Sequence, residues 1–163
     1  MSAFNQETYA FDNCKLKMPT KEAAKMLSRA FTEIEPWKTL KTDRVRMEKY
    51  FIHNPEGVCR RIVVVNSEAV GMVCIKQEWL VGPYLEFLGL LPAAHRQGIG
   101  KTIMNWFEEE AVKSKARNLF LCVSSFNENA IAFYKSLGFK KNAQLEGLII
   151  DNHDEILMRK RLF

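Results

Sequence analysis

The chain has 163 residues, 47% hydrophobic and 26% charged, with 24 Lys and Arg against 19 Asp and Glu for a formal charge of +5. That balance excludes a disordered or fibrous chain and predicts one domain over residues 1–163 with room for a full core. No apolar run approaches the eighteen residues a membrane span needs, and MSAFNQETYAFDNCK lacks a basic-then-apolar leader, so the expected location is cytoplasmic, with no membrane partner. The basic residues are scattered from Lys15 to Arg161 without a run of five, which reads as a solvated surface and speaks against nucleic acid, while a residual excess favours a polyanionic ligand. Cys14, Cys59, Cys74 and Cys122 are far apart with no C-x-x-C, so no metal site is expected.

In chain order, a short strand is predicted near Cys14 to Met18. Pro19-Thr20 then caps a helix reaching about Phe31, with Ala23, Met26, Leu27 and Ala30 on one face. Glu33-Ile34-Glu35-Pro36-Trp37 interrupts, and a second helix runs from about Thr42 to Ile52 carrying Val45, Met47 and Tyr50. The β-branched runs Val58 to Val65 and Val70 to Trp79, joined by Asn66 to Ala69, predict an antiparallel hairpin. After Gly82-Pro83, Tyr84 to Leu91 is apolar on both faces except for Glu86 and predicts a buried central strand. Strict alternation puts Glu86 on the face of Tyr84, Leu88 and Leu90.

Ile99, Ile103, Phe107 and Ala111 recur at helical spacing, and the apolar run Leu119 to Val123 follows. A helix crossing between two strands makes them parallel. A last helix spans about Asn129 to Leu137 and ends at Gly138; strands Phe139 to Leu145 and Glu155 to Leu162 close the chain as an antiparallel pair. The fold class is α+β: a central mixed, mostly antiparallel sheet with one parallel βαβ pair and helices on both faces.

Arg96-Gln97-Gly98-Ile99-Gly100-Lys101 opens the helix after the central strand. First-turn N–H groups have no partner inside a helix, and two residues without Cβ let a phosphate approach them, so a diphosphate suits this turn. The third glycine of a dinucleotide fingerprint and the ending of a P-loop are both missing. A tight strand-to-helix turn also has glycines for backbone reasons alone.

A second constellation, Asn127-Glu128-Asn129-Ala130-Ile131-Ala132-Phe133-Tyr134-Lys135-Ser136-Leu137-Gly138-Phe139, lies about thirty residues further on. Glycine turn and helix together resemble the GNAT superfamily of acyl-CoA-dependent N-acyltransferases, whose motifs read Q/R-x-x-G-x-G/A and N-x-x-A-x-x-x-Y-x-x-x-G-F. His95 stands where the first motif has Gln or Arg, with Arg96 beside it. The resemblance implies acetyl transfer from acetyl-CoA, as cosubstrate, to a primary amine by direct attack in a ternary complex. It puts the diphosphate on Arg96, Gln97, Gly98, Ile99, Gly100 and Lys101. The pantetheine falls against the backbone of Leu88, Gly89 and Leu90, where the parallel strands would splay. Asn127 would orient cofactor amides, and Tyr134 would protonate the departing thiolate; by spacing alone, Tyr134 also fits a core face with Ala130 and Leu137.

Glu86, as the central strand's only carboxylate, is functional or paired. It is read as general base, as anchor for the amine, or as half of an ion pair. His95, by its position, is expected to be an exposed turn residue. The segment Glu146 to Glu155 is either a solvated hairpin loop or a lip for a cationic amine opposite Glu33, Glu35 and Trp37. The acceptor is a small amine or a peptide or protein amine. A non-catalytic acyl-CoA-binding module and a toxin-like acylation of aminoacyl-tRNA are the alternatives. Edge strands near the C-terminus allow a homodimer.

Overall fold

Eight strands form one sheet in the computed structural model, which describes residues 3–163. They are β1 (Thr8–Ala10), β2 (Lys15–Lys17), β3 (Val58–Val65), β4 (Glu68–Trp79), β5 (Gly82–Leu90), β6 (Asn118–Ser124), β7 (Lys140–Ile150) and β8 (His153–Arg161). Helices α1 (Lys21–Phe31) and α2 (Arg44–Ile52) precede β3, α3 (Ile99–Lys113) joins β5 to β6, and α4 (Glu128–Ser136) follows β6. The spatial order is β1-β2-β3-β4-β5-β6-β8-β7, antiparallel throughout except for β5 and β6. The mixed, mostly antiparallel sheet with one parallel pair is therefore present as predicted.

Both faces of the sheet are covered, which is why β3 and β4 are apolar almost without alternation. On one face Leu27 and Phe31 of α1 and Met47 and Phe51 of α2 pack over Ile62, Val64, Met72 and Cys74. On the other, Ile99, Ile103 and Phe107 of α3 and Tyr134 of α4 pack over Val63, Val73, Ile75 and Leu121.

Local details depart from the expectations. β1 is only three residues long, too short for a pattern to show. The β3–β4 loop is two residues, Asn66 and Ser67, at φ 48° and 68°; paired left-handed residues make the tight hairpin turn whose twist suits the flanking strands, so β4 begins at Glu68. Helix α2 starts at Arg44, because Asp43 accepts from Arg46 N and caps it. Met26 and Val45 are exposed, since α1 turns Ala24 and Ser28 inward and α2 turns Phe51 inward. β7 extends to Ile150 rather than Leu145.

Two irregularities in β5 shape the centre of the molecule. β5 and β6 are in register only at Tyr84↔Phe120 and Leu85↔Leu121, and beyond that they part. Against β4, Cys74 faces Phe87 while Ile75 faces Leu85, so Glu86 is the extra residue of a β-bulge. The bulge overturns the alternation argument. Leu88 and Leu90 pack with the α3–α4 core, whereas Glu86 reaches α2 on the opposite face.

Candidate active site

The parting of β5 and β6 opens a cleft of 480 Å³ that reaches from the α1–α2 side to α4. Leu88, Gly89 and Leu90 form one wall, and Asn127, Ala130 and Tyr134 stand across from them. Strand edges that diverge leave N–H and C=O groups unpaired, and an extended molecule with amides can pair with them as an added strand would. His95 is an exposed turn residue, as expected, and it also lines the cleft; its Nε2 donates to the Leu90 carbonyl at 2.8 Å. Because the carbonyl can only accept, Nε2 carries the hydrogen.

Past the end of β5, Pro92–Ala94 forms a 3-10 turn and Gly98, at φ +74°, opens α3. Thr20, Asp43 and Asn127 cap α1, α2 and α4 with their side chains, but among the described residues no side chain caps α3. Its first-turn N–H groups are thus available to an anion at the positive end of a 15-residue helix. Gly100 has a second reason to lack a side chain, since a Cβ there would stand 3.3 Å from Phe133 of α4. The turn is held from a distance that no sequence spacing reveals. Asn13 Nδ2 donates to Gln97 O at 3.3 Å, Thr102 Oγ1 donates to Asn13 Oδ1 at 3.0 Å, and Gln97 Nε2 donates to Ala93 O at 2.7 Å.

Tyr134 is 9% exposed. Burial pushes its phenol well above the ordinary value of 10.0, so it remains protonated at neutral pH. Asn127 shares the cleft, with Oδ1 accepting from Ala130 N at 3.2 Å as the cap of α4.

Three carboxylates line the cleft, Glu35 at its mouth and Glu86 and Glu155 further in. The Glu86 side chain is 26% exposed; its Oε2 accepts from Tyr50 Oη at 3.0 Å and lies 3.9 Å from Nη2 of Arg60. Arg60 is 4% exposed, its guanidinium carbon 4.1 Å from the centre of the Tyr50 ring. Its Nε and Nη1 have no partner among the described residues. Burial chiefly, with Glu86 adding, drives the Tyr50 phenol far up, so Tyr50 stays a donor.

The second inner carboxylate was not singled out by sequence reasoning, which placed it where the 146–155 segment meets the last predicted strand. Glu155 is 4% exposed on β8, and Ser124 Oγ of β6 donates to its Oε1 at 2.6 Å. Burial raises its proton affinity, an effect the Ser124 bond partly offsets. Period-two alternation from Ser124 across the β6–β8 ladder would have found it, had the register been known.

At the mouth, Ile34, Glu35 and Trp37 face Ile149 of β7. Glu35 is satisfied by Thr39, whose N and Oγ1 donate at 3.1 and 2.9 Å. Neither Glu33 nor Asp154 reaches the lining; Asp154 instead holds Gly147 N and Gln144 beside the irregular 146–149 stretch of β7.

A parted parallel pair, an uncapped glycine turn at its end and a buried phenol in the gap together define a transferase of the acyl-CoA-dependent kind. The chain belongs to the GNAT acetyltransferases: the sequence model of the Acetyltransferase (GNAT) family matches residues 21–139. It is an acyltransferase, and acetyl-CoA is its family's acyl donor. A curated relative, an N-alpha-acetyltransferase of Saccharolobus solfataricus, is 28% identical over 122 residues, 65% of this chain and 71% of the relative. Among solved structures, Ard1 from Thermoplasma volcanium superposes with a TM-score of 0.74 at 18% identity, covering 93% of this chain and 99% of that one. The Escherichia coli ribosomal-protein-S18-alanine N-acetyltransferase gives 0.72 at 19% identity, covering 91% and 94%.

Proposed function

We propose that the chain transfers an acetyl group from acetyl-CoA to a primary amine by direct attack, with both substrates bound at once. The observation that carries the reading is the cleft itself, which has backbone edges on one wall, a protonated phenol on the other and carboxylates at the acceptor end. The residues fit the donor. Arg96, Gln97, Gly98, Ile99, Gly100 and Lys101 would hold its diphosphate, Leu88, Gly89 and Leu90 its pantetheine amides, and Asn127 would steady those amides from across the cleft.

Acetyl-CoA supplies an activated thioester carbonyl, whose carbon gains the amine nitrogen and loses sulfur. Tyr134 gives its proton to that sulfur, a role its burial suits because the acid form persists. Glu86 meets the acceptor amine, directly or through a bound water, and takes up or offsets its charge. Cleft carboxylates select a cationic acceptor, since an alkylammonium titrates near ~10 and arrives charged.

Relatives named for acetylation of an N-terminal amine make peptide α-amines the first acceptors to try, followed by small amines. Residues 3–163 contain no helix long and apolar enough to cross a membrane. We read the chain as one cytoplasmic domain, with the free edge of β7 as the place where two copies would pair. Free-thiol release from acetyl-CoA, measured over a panel of peptides and small amines, tests the reading. Release that depends on an acceptor supports it, and CoA binding without release on any acceptor overturns it.

A further inference from the structure

The geometry points to a division of labour between the two inner carboxylates, resting on the N-acetyltransfer reading above: we propose that Glu155, held by Ser124, accepts the proton of the attacking amine, while Glu86 anchors that amine from its seat against Tyr50 and Arg60. A base in this cleft needs an oxygen free to receive a proton and surroundings that tolerate the neutral carboxyl. Glu86 meets only the first, since both of its contacts fall on Oε2 and leave Oε1 free. Its Oε2 already accepts from Tyr50, and the nearby guanidinium of Arg60 is 4% exposed with two of its three nitrogens unpaired among the described residues. The Glu86 carboxylate is thus the counter-charge of a buried cation, which suits an anchor.

Glu155 meets both needs. Ser124 donates to Oε1 whether or not the carboxyl is protonated, which fixes the plane of the group and leaves Oε2 for the amine. The groups facing it carry no positive charge: Tyr84 from β5, Cys122 from β6, Tyr134 on α4 across the cleft and Glu86 at the gap. Leu145 is opposite on β7, and on β8 itself His153 packs edge-on against Phe126 with ring centres 4.8 Å apart. Burial in such a setting raises the carboxyl's affinity for a proton, which is what a base for an alkylammonium requires. The protons balance. The ammonium loses two: one goes to Glu155 and then to solvent, and the other replaces the proton that Tyr134 gives to sulfur as the C–N bond forms and the C–S bond breaks.

The test is the pH dependence of kcat and acceptor KM for Glu155→Gln, Glu86→Gln and Ser124→Ala, using acetyl-CoA and the best amine of the panel, with CoA binding as the check on folding. Glu155→Gln keeps the shape that Ser124 holds and is expected to lose about 10²-fold or more in kcat at neutral pH. Its acceptor KM should stay within threefold. Glu86→Gln is expected to raise acceptor KM while the acidic limb of the profile keeps its midpoint, and Ser124→Ala to move that midpoint upward. An active wild type whose acidic limb survives in Glu155→Gln, or shifts only in Glu86→Gln, overturns the assignment alone. A wild type that releases no thiol with any amine overturns the N-acetyltransfer reading and this assignment with it. Titration of the ¹³C-labelled Glu155 carboxyl, identified by its loss in Glu155→Gln, gives a readout without turnover; a midpoint at or below the ordinary glutamate value also overturns the proposal.

Discussion

Gly89 lies directly under Trp37: a Cβ built on the glycine would stand 2.8 Å from the Trp37 ring and 2.9 Å from that of Phe31. Trp37 in turn stacks on Phe87 with ring centres 4.8 Å apart, and all three residues from Phe87 to Gly89 line the cleft. The missing side chain is therefore what lets the 34–40 segment close over β5. Gly89→Ala is expected to cost about 1–3 kcal/mol by overpacking. It should also weaken acetyl-CoA binding, because the displaced indole forms part of the mouth. Urea unfolding and a CoA titration measure the two effects; a variant with unchanged stability would show that the indole yields freely.

Tyr134→Phe keeps the ring that packs near Phe133 and Phe139 and removes only the hydroxyl. If the phenol is the acid, kcat should fall about 10²- to 10⁴-fold while CoA binding stays within threefold. Burial raises the phenol above 10.0, so the acid form, and with it the wild-type rate, should show no loss on the alkaline side up to pH 10. A fall in kcat with a midpoint near pH 8 would assign the acid to another group.

Asn13 acts on the glycine turn through both ends of its amide, accepting from Thr102 and donating to Gln97 O. Asn13→Ala should cost about 1–2 kcal/mol for two partly exposed hydrogen bonds. The more specific expectation is a several-fold rise in KM for acetyl-CoA with little change in kcat, since the residue sets the turn and touches no reacting atom. Equal loss in both parameters would mean that the turn's position matters to the chemical step.

Elements were readable in the sequence wherever one residue type governs one local geometry. Gly98 at the start of α3 and Gly138, at φ +91° just past α4, mark helix ends through backbone freedom alone, and the helix period of Ile99, Ile103, Phe107 and Ala111 follows from one buried face. The carriers of the cleft were readable because they stand on those same elements. What escaped depends on contacts between distant segments. The bulge at Glu86 is set by pairing with β4, the Asn13 clamp joins positions 84 and 89 residues apart, and Glu155 faces Ser124 only through the β6–β8 register. His95 is the exposed turn residue its position indicated, but nothing local shows that its ring folds back on Leu90.

The Arg60–Glu86 pair is unequal, and its two halves should respond differently to removal. Glu86→Gln leaves a buried guanidinium without a counter-charge; breaking such a pair costs about 3–5 kcal/mol when both partners are sealed, and about 1–3 here because the Glu86 side chain is 26% exposed. Arg60→Met removes a cation with two unpaired nitrogens, and Glu86 keeps its bond from Tyr50. That change should alter stability by no more than about 1 kcal/mol. Urea midpoints of the two variants decide, and an Arg60 variant as damaged as the Glu86 variant would show that the guanidinium contributes more through packing than through charge.

Glu155 should make the fold less stable as pH rises. Its carboxyl is held above the ordinary value of 4.5 by burial, so between that value and its own midpoint the folded chain keeps a proton that the unfolded chain has already released. The folded state then binds more protons, and stability is lost as pH rises through this window. Above it, the fold carries a buried anion relieved only in part by Ser124. Glu155→Gln, which cannot ionise, should therefore gain stability relative to wild type on going from pH 4 to pH 8. Urea midpoints for both chains at the two pH values measure this. An equal difference at pH 4 and pH 8 would show that water reaches the carboxylate freely, and a buried group that gives up fold stability for proton affinity is what a base at the end of this cleft requires.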